Sequence, residues 1–133
     1  MTRQKEREAL FALLYEMSFS KPEEAENVLA TEQVEREYNT EYILSGYRGA
    51  IEHLSEIDQI IEQYSHGWKI NRISKVTLAL LRLGLYEMFY TNVGYAIVIN
   101  EAVNLAKTYD HEKAPAFING ILNRAAEEKG LKS

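Results

Sequence analysis

Apolar residues recur along this chain at helical spacing, and no stretch alternates as a strand would. Leu10, Leu13, Leu14 and Met17 fall at i, i+3, i+4 and i+7, which predicts a helix over about 2–18 with one buried stripe. Tyr15 lies off the centre of that stripe, which leaves it either in the core or at a rim that a partner can reach. Ser20-Lys21-Pro22-Glu23 reads as the next helix start. The serine caps, the proline is tolerated in a first turn, and Glu23 completes a capping box. A short helix through Ala25, Val28 and Leu29 follows, and the polar segment 31–38 is expected to loop.

The cleanest pattern comes next. Ile43, Tyr47, Ala50, Leu54, Ile57, Ile61 and Tyr64 are spaced 4, 3, 4, 3, 4, 3, a heptad seam. It predicts one long helix over about 40–65, with room for a bend, ending near Gly67. The seam is short and the other segments need a core, so a bundle helix fits better than a dimeric coiled coil. Segment 74–90 is apolar almost all round its axis, from Val76 through Phe89, which predicts the central helix. Arg82 and Glu87 are its polar interruptions. Two more helices are expected. One covers about 96–109 with Ile99, Ala102, Val103 and Ala106 inward. The other covers about 115–129 with Phe117, Ile118, Ile121, Leu122 and Ala125 inward, and Gly130 ends it.

Composition narrows the class. The 133 residues are 46% hydrophobic and 26% charged, which suits one soluble domain or two small subdomains sharing a core. No apolar run is long enough to span a membrane and no signal-peptide core follows the N-terminus, so the expected compartment is the cytoplasm. Cysteine is absent, which removes disulfides, thiolate metal sites and a cysteine nucleophile. The net charge of −5 is uneven. Residues 1–20 sum to zero, 21–66 to −8 and 67–133 to +3. Composition by itself does not suggest RNA, and a basic partner would have to supply part of any attraction.

Catalytic chemistry is not written here. His53, His66 and His111 lack metal-ligand spacing, and neither a phosphate-cradling glycine loop nor a nucleophile elbow occurs. The expectation is a non-enzyme without metal or cofactor. Arg3, Lys5 and Arg7 place cations near a helix start, where they oppose the helix dipole by roughly a few tenths of a kcal/mol. Each can neutralise a phosphate, or the trio is a solvated terminus. Arg82 and Glu87 are five apart, not an ideal ion-pair spacing, so either an internal pair or partners outside that helix remain open.

Several blocks together resemble the NusB family over nearly the whole length. They are Trp68-Lys69-Ile70-Asn71-Arg72-Ile73, Leu80-Leu81-Arg82-Leu83-Gly84-Leu85-Tyr86-Glu87-Met88, Ile99-Asn100-Glu101-Ala102-Val103-Asn104-Leu105-Ala106-Lys107 and Phe117-Ile118-Asn119-Gly120-Ile121-Leu122-Asn123. The opening Arg7-Glu8-Ala9-Leu10 through Leu14-Tyr15 is similar to the family's first helix. The resemblance implies an all-α fold of about six to seven helices in two small bundles packed across each other, one domain over 1–133 with subdomains of about 1–66 and 67–133. It implies transcription antitermination in bacteria. The partners would be NusE (a small-subunit ribosomal protein), boxA-type single-stranded RNA of ribosomal RNA operons, and the RNA polymerase antitermination complex. Arg3, Lys5, Arg7 and Asn123 would then face RNA, and Tyr15, Arg82 and Glu87 would face NusE. Some members self-associate, so the resemblance also admits a homodimer.

Three departures from the family pattern matter. The N-terminal arm is often densely arginine-rich, whereas here Gln4 and Glu6 separate the cations. Val93-Gly94-Tyr95 stands where a proline is usual, which predicts a looser helix start. Asn123 stands where many members carry aspartate, and losing that negative charge favours RNA. Two other functions compete. A helical RNA-binding module of the kind fused to RNA methyltransferases is disfavoured, because the chain ends at Ser133 without a catalytic domain. A protein-interaction or RNA-binding module without antitermination activity is the other, and the net charge of −5 speaks for its form without RNA contact.

Overall fold

The computed structural model describes residues 1–132; Ser133, where the expected domain ends, lies outside the described residues. The protein is all-α, with seven α-helices, two short 3-10 turns and no strand among the described residues. Helix α1 spans Arg3–Met17, and the Thr2 hydroxyl caps it by accepting from the Lys5 N–H at 3.1 Å. The expected stripe is fully internal: Leu10, Leu13, Leu14 and Met17 are 0–1% exposed.

The second helix starts later than Ser20. Lys21 has extended backbone, as a residue before proline must, so the turn begins at Pro22. The Lys21 N–H, not that of Ser20, donates to the Glu24 carboxylate at 3.2 Å. The 3-10 turn Pro22–Glu24 leads into α2, Ala25–Glu35. Segment 31–38 is therefore helical over its first half, not a loop. Its glutamates and glutamine are sound helix formers on a solvated face, and polarity alone does not end a helix.

The long helix expected over 40–65 is two helices, α3 (Glu41–Glu52) and α4 (Leu54–Tyr64), parted at His53. The heptad residues are buried on both sides of the break. The bend lets one seam serve two neighbourhoods. α3 packs on α1 and on the central helix, whereas α4 packs on the central and last helices. Gly46 and Gly49 permit the α3 contacts. A Cβ at Gly46 would lie 2.5 Å from a Leu10 methyl, and one at Gly49 would lie 2.6 Å from the Tyr86 ring.

Helix α5, Lys75–Tyr90, is capped by Ser74 and buries 11 of its 16 residues. It touches α1, α3, α4, α6 and α7, as a helix that is apolar all round should. Helix α6 is Tyr95–Tyr109 and α7 is Ala114–Glu128. α6 starts at Gly94 without a side-chain cap, and Val103 and Phe117 are only half-buried. Gly130 closes α7 with φ of +74°, and the Leu131 N–H returns to the Ala126 carbonyl at 2.9 Å. Among the described residues, no helix is long and apolar enough to cross a membrane, and no group of acidic or histidine side chains could hold a metal ion.

Candidate nucleic-acid and partner interface

The basic residues of α1 divide by direction. Arg3 and Lys5 are exposed, while Arg7, one turn further, is 6% exposed and points inward. Arg7 meets Glu87 of α5 in a two-pronged pair: Nε donates to Oε1 at 2.7 Å and Nη2 to Oε2 at 3.0 Å. Glu101 of α6 adds a second carboxylate at 4.0 Å. These hydrogen bonds push the Arg7 guanidinium above its ordinary range, so it is charged at every accessible pH. Arg3 lies 3.3 Å from Glu6 and sits over the Tyr42 ring at 4.2 Å. Burial, and then the Glu87 charge, push the Tyr42 phenol well above the usual tyrosine range.

The polar breaks of α5 have partners on other helices. Arg82 clasps Asp58 of α4 at 2.9 and 2.8 Å, and Glu87 clasps Arg7 of α1. Arg82 is 6% exposed and Glu87 2%, so neither reaches the surface as a free contact. Tyr15 is half-buried at the end of α1, edge-on to the exposed ring of Phe19 at 5.1 Å. Lys75 at the start of α5 sits 5.2 Å from the Phe19 ring and donates to the Ser18 carbonyl at 3.0 Å. Asn123 is half-buried on α7, its amide donating to both oxygens of Asn119 at 3.0 Å.

Two residues beside Lys5 escape a sequence reading. A hollow there is walled by Tyr38, Tyr109 and Arg36 together with Lys5. Tyr109 is 49% exposed, packs on Phe11 and donates to Glu8 at 2.6 Å. Tyr38 and Tyr109 are 71 positions apart in sequence, and no periodicity joins these two of the nine tyrosines. Exposed cations beside the exposed ring of Tyr109 and the half-buried ring of Tyr38 can neutralise phosphates and stack on unpaired bases, although Glu8 also lines the hollow.

The chain matches the NusB family model over residues 4–127. A transcription antitermination protein NusB of a Nitratiruptor species is 42% identical over 130 residues, covering 96% of this chain and 93% of that one. A solved NusB of T. maritima superposes with a TM-score of 0.82 at 34% identity, over 96% of this chain and 92% of that one. A chain from the solved complex of antitermination factors NusB and NusE with double-stranded RNA gives a TM-score of 0.75 at 29% identity, over 96% of this chain and 99% of that one.

Proposed function

The chain belongs to the NusB family, and on that footing we propose that it is a transcription antitermination factor. It joins a NusE-type ribosomal protein on boxA-like single-stranded RNA and acts in the cytoplasm on RNA polymerase processivity, by binding and not by catalysis. The likeness, over 96% of this chain, to a chain from a complex of NusB and NusE with double-stranded RNA supports a NusE-type partner and RNA binding, and the single-stranded boxA-like element follows from the family resemblance. Arg3 and Lys5 contact phosphates, with Tyr38 and Tyr109 beside them for bases, and Asn123 adds a neutral polar group. Tyr15 and its neighbour Phe19 face the protein partner. Arg7, Arg82 and Glu87 act one step back, locking α1 and α4 onto α5 so that those surfaces hold their shape.

The charge distribution supports a cooperative complex. A protein of net charge −5 has little long-range attraction for RNA, and a basic partner reverses the local field. Mobility of a labelled boxA RNA should therefore shift weakly with this chain alone and strongly with chain and NusE-type protein together. Tyr15→Ala should weaken the protein pair by at least about fivefold without RNA, as loss of an aromatic anchor does. RNA affinity unchanged by the partner would overturn the proposal.

A further inference from the structure

A second group of exposed cations surrounds the only tryptophan of the chain, away from the start of α1. Between α4 and α5 the backbone turns through His66 (φ 55°) and Gly67 (φ 86°), both left-handed, and Trp68 stands out 52% exposed. The turn is pinned. The Ser65 hydroxyl donates to the Trp68 carbonyl at 2.8 Å, and the Ile70 N–H donates to Glu62 at 2.9 Å. An exposed indole on a pinned turn is a prepared contact, because little ordering remains to be done on binding.

Trp68 and Arg72 line both of two hollows. One, of about 230 Å³, is also lined by Phe117 and Lys113. The other, of about 310 Å³, is also lined by Lys69. The first is smaller than the roughly 300–1,000 Å³ that drug-sized ligands occupy, and suits one flat ring. Among the described residues, Lys69, Arg72 and Lys113 form no salt bridge, and all three are exposed. Two nearby carboxylates are engaged elsewhere, while Glu112, next to Lys113, is exposed. Asp110 accepts from the Thr77 hydroxyl at 2.6 Å and from the His111 N–H at 2.8 Å, and Glu62 holds Ile70.

We infer that Trp68, with Lys69, Arg72 and Lys113, is a second contact for single-stranded RNA: one unpaired base stacks against the indole while the cations hold the flanking phosphates. This rests on the RNA-binding reading above and extends it to a second site. A flat aromatic ring ringed by unneutralised cations fits a polyanion with stacking faces. An apolar protein anchor seated there would leave three charges desolvated without partners.

The test uses the full chain with its NusE-type partner and two probes, a boxA RNA with its natural flanks and a 12-nucleotide oligouridylate. Binding is followed by anisotropy of the labelled RNA. In the chain alone, the fluorescence of the one tryptophan reports the site. The indole emission should be quenched as RNA binds. Trp68→Ala should weaken binding of both probes by about 5- to 100-fold, and Trp68→Phe should recover most of it. Arg72→Ala and Lys113→Ala should each lower the salt slope by roughly 0.7. Unchanged RNA affinity and slope in Trp68→Ala, with Arg3→Ala and Lys5→Ala still weakening it, would overturn this inference and leave the proposed function standing. No RNA binding by the wild-type pair would overturn both. Weakened binding of the partner protein to Trp68→Ala without RNA would assign the indole to the protein interface instead.

Discussion

Arg7 and Glu87 are 80 residues apart, and their side chains meet head-on between α1 and α5 at 2.7 Å. Both are buried, with side chains 8% and 2% exposed. Two opposite charges so placed are costly to bring in and costlier to separate. Removing one partner leaves an uncompensated buried charge, which typically costs about 3–5 kcal/mol. Arg7→Ala should therefore lower unfolding stability by that order in urea. The double variant Arg7→Met with Glu87→Met should recover most of the loss. If Arg7→Ala unfolds at the wild-type urea midpoint, the pair is not holding α1 to α5.

This relationship changes how RNA contacts must be tested. A variant at Arg7 confounds folding with binding, whereas Arg3 and Lys5 are exposed and can be removed cleanly. Arg3→Ala with Lys5→Ala should lower the salt slope of RNA binding by roughly 1.4, about 0.7 for each lost phosphate contact to a single strand. Affinity should fall to a similar degree for every RNA, and sequence preference should persist, because phosphate contacts position while base contacts specify. Titrations at several salt concentrations read both quantities. A wild-type slope would make the start of α1 a solvated terminus.

Leu81 is fully buried in α5. Truncation to alanine should cost about 2–5 kcal/mol, the range for large-to-small changes in a packed core. Gly49→Ala should also destabilise, since the added methyl would meet the Tyr86 ring at 2.6 Å. The ring has to move before α3 can close on α5. Denaturant melts of the two variants check both, and a Leu81→Ala loss within experimental error would contradict the burial of α5.

The tyrosines give a pH signature. Burial pushes Tyr42 and Tyr47 well above the ordinary phenol range, and burial with a hydrogen bond to Glu56 raises Tyr90 to about 12. A group whose folded pKa is raised supports the fold fully below its unfolded pKa, and that support is lost as pH rises through the folded value. Stability contributed by these phenols should therefore be intact below about pH 10 and decline above it. In a spectrophotometric titration of tyrosinate, the native protein should lag behind the unfolded chain. Coincident curves would contradict the burial of Tyr42 and Tyr47.

The sequence by itself determined the helical class, most of the helices and most of the faces they bury, though not the end of α2 or the half-burial of Val103 and Phe117. Stripe spacing in α1, the seam through Ile43 and Tyr64, and the apolar residues almost all round α5 are local patterns, and they hold whichever neighbour covers them. Caps are local too: Thr2, Ser74 and Gly130 end their helices through contacts within a few residues. The family was legible for a different reason, since several blocks in one order and spacing are specific as a set. Tertiary structure alone decided what the polar groups meet. Arg82 found Asp58 and Glu87 found Arg7 because α4 and α1 approach α5 from different sides. The break at His53 belongs to the same level, since the seam is unbroken in sequence and only packing against two sets of helices bends it. Surface assemblies such as Lys5 with Tyr109, or Trp68 with Lys113, join residues with no shared period. Helix propensity and amphipathic spacing act over one or two turns, whereas an ion pair or a hollow exists only once distant helices have been fixed against one another.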